Sequence, residues 1–108
     1  MTVTIVRYRT KADQADENQA LIEAVFAELE ADQPDGLAYA SFRLADGVSF
    51  VHVASVDTDD ARNPLDDTAA FARFVQGVGD RCEEGPAASP ATVVGAYRMG
   101  SPFAGGSR

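Results

Sequence analysis

The stretch from Ala38 to Val56, AYASFRLADGVSFVHVASV, interleaves apolar and polar residues on both sides of Asp46-Gly47. Period-two alternation belongs to strands, and Asp-Gly between two such runs signals a hairpin. If Asp46-Gly47 is a two-residue turn, Ala45 faces Val48. Arg43 then stands opposite Phe50, Ser41 opposite His52 and Tyr39 opposite Ala54. On this reading Ala38, Ala40, Phe42 and Leu44 share a face with Ser49, Val51 and Val53, and that face is the one suited to receive helices.

The flanking segments complete a pattern. Thr2 to Thr10 is rich in β-branched and aromatic residues and reads as a strand. In DQADENQALIEAVFAELEAD, Leu21, Ile22, Val25, Phe26 and Leu29 recur at offsets of three and four, which predicts an amphipathic helix. Asp16 with Gln19 forms a capping-box pattern and Asp13 is a rival start. Pro34 and Gly36 stop the helix by about Gln33. DTDDARNPLDD lacks periodicity and reads as a loop with a short turn after Pro64. A second helix starts at Thr68, capped by Thr68 or Asp67, with Phe71, Phe74, Val75, Val78 and Cys82 on one side. Gly77 and Gly79 weaken that helix and mark a bend or close packing. GPAASP reads as a connector, Thr92 to Arg98 as the last strand, and residues 99–108 as a flexible tail after a domain spanning 1–98.

The order β-α-β-β-α-β, with helices on one side of an antiparallel sheet, predicts a ferredoxin-like α+β sandwich. The other side would leave Val3, Ile5, Tyr39, Phe50 and Ala54 uncovered. Face-to-face pairing into a homodimer is the expected remedy, and a tail or loop folded across the sheet is the alternative.

At 108 residues the chain is one domain. Its 17 Asp and Glu against 9 Lys and Arg give a net charge of -8, which repels phosphate backbones and anionic lipid, so neither nucleic acid nor membrane is an expected partner. A single cysteine excludes an internal disulfide. The opening MTVTIVRYRT lacks signal-peptide features and no segment has the length of a membrane span, so a cytoplasmic location is expected.

With this order of elements, the helix ENQALIEAVFAELEA, the passage PDGLAYASFRLADGVSFVHVASV, the later NPL and the helix containing AFARFV, the chain from about residue 2 to 98 resembles the antibiotic biosynthesis monooxygenase-like family. The resemblance implies a dimeric α+β barrel. That family includes cofactor-independent oxygenases of aromatic polyketides or quinols, haem-degrading enzymes and isomerase-like members, and it has no invariant catalytic set. Haem-degrading members typically combine Asn, Trp and His. This chain has no tryptophan, and its histidine lies in a strand, so that activity is disfavoured. Polyketide-oxidising members commonly use Asn, Trp, Tyr and Arg. Asn63, Tyr8, Tyr39 and Arg43 offer the matching polar groups, without the Trp.

His52 is the only histidine, able to hold a proton near neutral pH or to hydrogen-bond an oxygen substituent. Grouped with Tyr39 and Arg43 it would orient a phenolate while Phe50 packs on the ring. That suits oxygenation without a cofactor, because the ionised substrate is electron-rich enough to meet dioxygen directly. Each residue also has a structural reading. His52 can bond Ser41 across the strands, Arg43 can pair with an acid, and tyrosines often pack with one satisfied hydroxyl. Asn63 can form an Asx-turn or cover a cavity mouth, and Cys82 continues an apolar stripe as a buried thiol. No nicotinamide, flavin or ATP fingerprint and no metal-ligand spacing occurs.

The expected function is therefore a cofactor-independent monooxygenase of a small hydroxylated aromatic, with His52, Arg43, Tyr39 and Asn63 as site residues. The alternatives are a non-catalytic binding or structural homodimer and an isomerase-like proton-transfer enzyme. The enzyme reading requires an apolar cavity on which polar groups including His52 converge; the structural reading requires a small or filled one.

Overall fold

A computed structural model describes residues 2–60 and 62–99. Thr2–Thr10 forms β1. After a single 3-10 turn at Ala12–Gln14, α1 runs over Ala15–Asp32. Neither Asp13 nor Asp16 caps it. Gln14 holds the N-cap position without a side-chain bond, because the preceding turn delivers the backbone already curled, with Gln14 N–H on the Lys11 carbonyl at 3.0 Å. At the other end Gln33 turns left-handed (φ 46°) and returns its N–H to the Leu29 carbonyl. Pro34 follows, and the helix stops where the sequence predicts.

The hairpin comprises β2 (Leu37–Arg43) and β3 (Ser49–Val56). Tyr39 faces Ala54, Ser41 faces His52 and Arg43 faces Phe50, which is the predicted register. Its loop is wider than two residues. Leu44 N–H still pairs with the Ser49 carbonyl, and the turn closes from Gly47 N–H to the Leu44 carbonyl with Gly47 at φ 80°. The Asp46 carboxylate accepts from the Val48 and Ser49 amides. The register survives because the loop grows by one residue on each side of the same centre. Where β2 begins, Gly36 sits at φ +80° with the Asp57 carbonyl 2.5 Å from where a Cβ would stand, so no other residue fits there.

The second half departs further from expectation. The turn Pro64–Asp67 forms as anticipated, and Thr68 caps α2 (Ala69–Gln76) by accepting from Phe71 N–H. The helix breaks at Gly77, a four-residue α3 follows (Val78–Arg81), and β4 runs from Cys82 to Ala91. The last strand is therefore CEEGPAASPA, not Thr92 to Arg98, and Cys82 opens it rather than ending a helix. Two prolines are tolerated because β4 is an edge strand, hydrogen-bonded on one side only. The expected tail lies outside the described residues from position 100 onward.

The sheet order is β2-β3-β1-β4, antiparallel throughout. This is the α+β, ferredoxin-like split βαβ arrangement, with the helices on one face. The helix-facing set is the reverse of the hairpin assignment made from sequence. Tyr8, Phe50 and, partly buried, Tyr39 pack with Ile22, Val25 and Phe74 beneath the helices. Ala38, Ala40, Phe42, Val51 and Val53 lie on the opposite face with Val3 and Ile5, as the pairing partners require. Ile5 and Phe42 are exposed there. Val93 and Ala96 of the segment after β4 share an apolar hollow with Val3, Ile5 and Val53, so that segment borders the outer face.

Candidate functional site

Strand pairing puts His52 in the middle of the inner face, between Val6 on β1 and Ser41 on β2. The residue is 3% exposed, and both ring nitrogens are occupied. Nε2 lies 2.8 Å from the Tyr8 hydroxyl, and Nδ1 lies 2.8 Å from the Tyr39 hydroxyl and 2.6 Å from Ser41 Oγ. The two phenol rings flank the imidazole in nearly parallel planes, at centroid distances of 5.3 Å for Tyr8 and 5.8 Å for Tyr39. Phe74 closes over it from α2 at 5.5 Å.

The chain of bonds continues beyond the sheet. Asn18 of α1, 0% exposed, donates Nδ2–H to the Tyr8 oxygen at 2.8 Å. Its Oδ1 accepts from Arg81 Nε at 3.1 Å, and Arg81 Nη2 donates to the Phe74 carbonyl at 2.8 Å. Among the described residues no buried side-chain nitrogen or oxygen lacks a partner.

Burial sets the protonation states. Removal from water disfavours the imidazolium and pulls the His52 pKa down to about 4, so the ring is neutral at pH 7. Burial raises the Tyr8 phenol, with the Asn18 donor opposing part of the rise, and it raises Tyr39, opposed by Ser41. Both remain hydroxyls at physiological pH.

These groups form one wall of a cavity of about 270 Å³, just below the roughly 300–1,000 Å³ usual for ligand pockets. Tyr8, Tyr39 and His52 with Val6 and Ala54 make the sheet wall; Leu65, Phe71, Phe74, Val75 and Val78 make the facing one. The lining is predominantly apolar, with polar groups from Thr4, Tyr8, Tyr39, His52 and Asn63. Asn63 also lines the cavity. Its Oδ1 accepts from Leu65 N–H at 2.9 Å, the expected Asx geometry, which leaves the Nδ2 amine as its remaining donor.

Of the four residues singled out from sequence, His52, Tyr39 and Asn63 line this cavity and Arg43 does not. Arg43 bonds the Gly47 carbonyl, Asp16 and Gln19 at the protein surface. Its register places it on the inner face, but two positions beyond Ser41 toward the sheet end, where α1 supplies its partners. Asn18 and Arg81 were not singled out. Asn18 stands four and seven residues before the buried Ile22 and Val25, so the helical stripe already contained the signal. Among the described residues, no cluster of three or more His, Cys, Asp or Glu is disposed to hold a metal ion. No described helix is long and apolar enough to cross a membrane.

No family model and no curated protein matches the sequence. Solved structures do match. An antibiotic biosynthesis monooxygenase superposes with a TM-score of 0.70 at 20% identity, over 88% of this chain and 100% of that one. The chain shares the fold of that antibiotic biosynthesis monooxygenase. A proposed antibiotic biosynthesis monooxygenase from Nitrosomonas europaea gives a TM-score of 0.72 at 18% identity, over 88% of this chain and 100% of that one. SnoaB, a cofactor-independent oxygenase from Streptomyces nogalater crystallised as a mutant, gives 0.65 at 16% identity, over 91% and 97%. At such identities the likeness is one of fold. What this chain does has to be read from its own cavity.

Proposed function

We propose that the protein is a cofactor-independent monooxygenase of a small hydroxylated aromatic, such as an anthrone-like ketone or a quinol, and that it works as a homodimer. The observation that carries this reading is the neutral His52, bonded at both ring nitrogens to hydroxyls, on the wall of an apolar cavity. The aromatic rings and aliphatic side chains suit a flat apolar ligand, and the hydroxyls at one edge suit its oxygen. Because Tyr39 and Tyr8 occupy the imidazole nitrogens, the ligand meets Tyr39 first, and His52 acts on it through that hydroxyl. Asn63 supplies a further donor to the cavity.

In the proposed reaction the bound substrate has lost a proton and carries negative charge on oxygen and on the ring carbon to be oxidised. That carbon gives electrons to dioxygen and a C–O bond forms. A proton moves to the distal oxygen, the O–O bond breaks, and the second hydrogen leaves the carbon. The sum is CH₂ plus O₂ giving C=O plus H₂O, with the substrate supplying all four electrons. The hydrogen-bond donors hold the anion and the cavity orients it, the two contributions a protein can make to a reaction whose reductant is the substrate. The fold shared with SnoaB supports the same class of chemistry. Exposed Ile5 and Phe42 on the outer face support dimerisation through that face.

The test is dioxygen uptake by purified protein given anthrones and quinols, without added flavin or metal, repeated with His52→Gln and Tyr39→Phe. Uptake that falls at least tenfold in both folded variants supports the reading. Saturable binding without uptake favours a second reading, a non-catalytic binding protein, for which the complete internal pairing of the buried polar atoms speaks.

A further inference from the structure

Arg81 is the one group in the buried chain whose presence the cavity alone does not explain. Its residue is 7% exposed, and among the described residues no carboxylate pairs with it. Its partners are neutral: Asn18 Oδ1, the Phe74 carbonyl and the Phe74 ring, 5.2 Å from the guanidinium carbon. Room for it comes from Gly77, where a Cβ would stand 3.0 Å from Nη1. A buried cation without a counter-ion is costly to desolvate.

The chemistry of a guanidinium supplies a purpose. Arginine only donates. Facing Arg81, the Asn18 amide must present its oxygen, which leaves its NH₂ to donate to the Tyr8 oxygen. Tyr8, already accepting there, has its own hydrogen to give, and its other hydrogen-bond partner is His52 Nε2 at 2.8 Å. That nitrogen must then be bare, so the neutral ring carries its proton on Nδ1 and donates it to the Tyr39 and Ser41 oxygens. Tyr39 lines the cavity and Ser41 does not. Ser41 bonds the Tyr39 oxygen as a donor, the sense in which it opposes the rise of the Tyr39 phenol, so the Tyr39 hydrogen, unable to point at Nδ1–H, is left for an acceptor brought into the cavity.

We infer that Arg81 is a positioning residue that, through Asn18 and Tyr8, fixes His52 as the Nδ1–H tautomer and turns the Tyr39 hydroxyl into a donor for an anionic ligand oxygen, a phenolate or enolate. The inference deepens the proposed function and takes from it the cavity as the ligand site. It changes the part His52 plays: the ring holds Tyr39 in donor orientation and offers no free lone pair to the ligand. Each link polarises the next in the same sense, which strengthens the terminal donor.

The direction can be reversed without deleting a bond. In Asn18→Asp the new carboxylate pairs with Arg81 and can only accept from Tyr8, which must then accept from His52 Nε2–H. As the chain has one histidine, its ring nitrogens are read without ambiguity by ¹H–¹⁵N correlation at pH 7. The expected result is Nδ1–H in the wild type and Nε2–H in Asn18→Asp. Wild-type Nε2–H, or no change in a folded Asn18→Asp, overturns the inference; if that variant does not fold, the wild-type tautomer decides alone. The ligand half is read with p-nitrophenol. Affinity that rises at least tenfold as the probe ionises supports an anionic-oxygen site, and affinity that falls, or no binding at millimolar probe, overturns it. The tautomer is measured without turnover, so Nδ1–H in a protein that consumes no dioxygen sinks the oxygenase reading and leaves the inference standing.

Discussion

Arg43 and Arg81 each hold a guanidinium over a phenylalanine ring, at 5.7 Å from Phe50 and 5.2 Å from Phe74. Each also donates to one side-chain amide oxygen and one backbone carbonyl, and the two differ in burial and in the carboxylate that only Arg43 meets. Arg43 lies at the surface with Asp16 and Gln19, in an ion pair that water screens. Arg81 is enclosed, paired with a side-chain amide and a carbonyl, and joined through them to His52. The comparison teaches that a cation's reach depends on what it touches. In salted water its field is screened within about 10 Å, while inside the protein a donor-only group orders every rotatable hydrogen along the chain it ends.

The largest expected effect that separates the two regions is a pH dependence. The unfolded chain takes up a proton at His52 near pH 6.5, whereas the folded one does so only near pH 4. The contribution of neutral His52 is therefore fully present above pH 6.5 and is lost as pH falls toward 4, by up to about 3 kcal/mol. Urea unfolding across that window should show the loss in the wild type and in Arg43→Met, and His52→Gln should flatten it. A curve unchanged by His52→Gln would contradict the buried, neutral ring.

Next comes Arg81→Met, which leaves Asn18 Oδ1 and the Phe74 carbonyl buried without donors and should cost about 2 kcal/mol. Arg43→Met should cost less than about 1 kcal/mol, and less still in high salt. Equal losses in the two variants would break the comparison.

A smaller effect sharpens it. Gly77→Ala places a methyl group 3.0 Å from Arg81 Nη1 and should cost about 1 kcal/mol through crowding. At Gly79 an added Cβ meets nothing within 4 Å. Gly79→Ala should therefore be neutral or stabilising by roughly 0.5–1 kcal/mol, the ordinary gain in helix propensity. Thermal denaturation of the two variants side by side distinguishes Arg81's space from general helix stiffening.

How far the sequence could be read follows from which forces are local. The hairpin register was legible because turn chemistry and strand parity are local, and it survived a loop two residues longer than expected. The face was not. Counting apolar residues favours Ala38, Ala40, Phe42, Val51 and Val53 for the interior. The fold instead buries large rings and a polar set whose hydrogen bonds close only when β1, β2, β3 and α1 meet. The last strand was hidden by Gly85, Pro86 and Pro90, which argue against a central strand but are compatible with an edge. His52, Tyr39 and Asn63 were identifiable as chemistry-bearing types, and all three line the cavity. Arg81 was not identifiable, because its burial depends on a helix break at Gly77 and on Asn18, 63 positions away in sequence.

The most direct measurement of the central claim is turnover of an anthrone under isotope-labelled dioxygen, with the product carbonyl analysed by mass spectrometry and Tyr39→Phe run in parallel. The account predicts one labelled oxygen in each product molecule, its partner in water, and at least a tenfold slower reaction in the variant. Unlabelled product, or a rate indifferent to Tyr39, would contradict it.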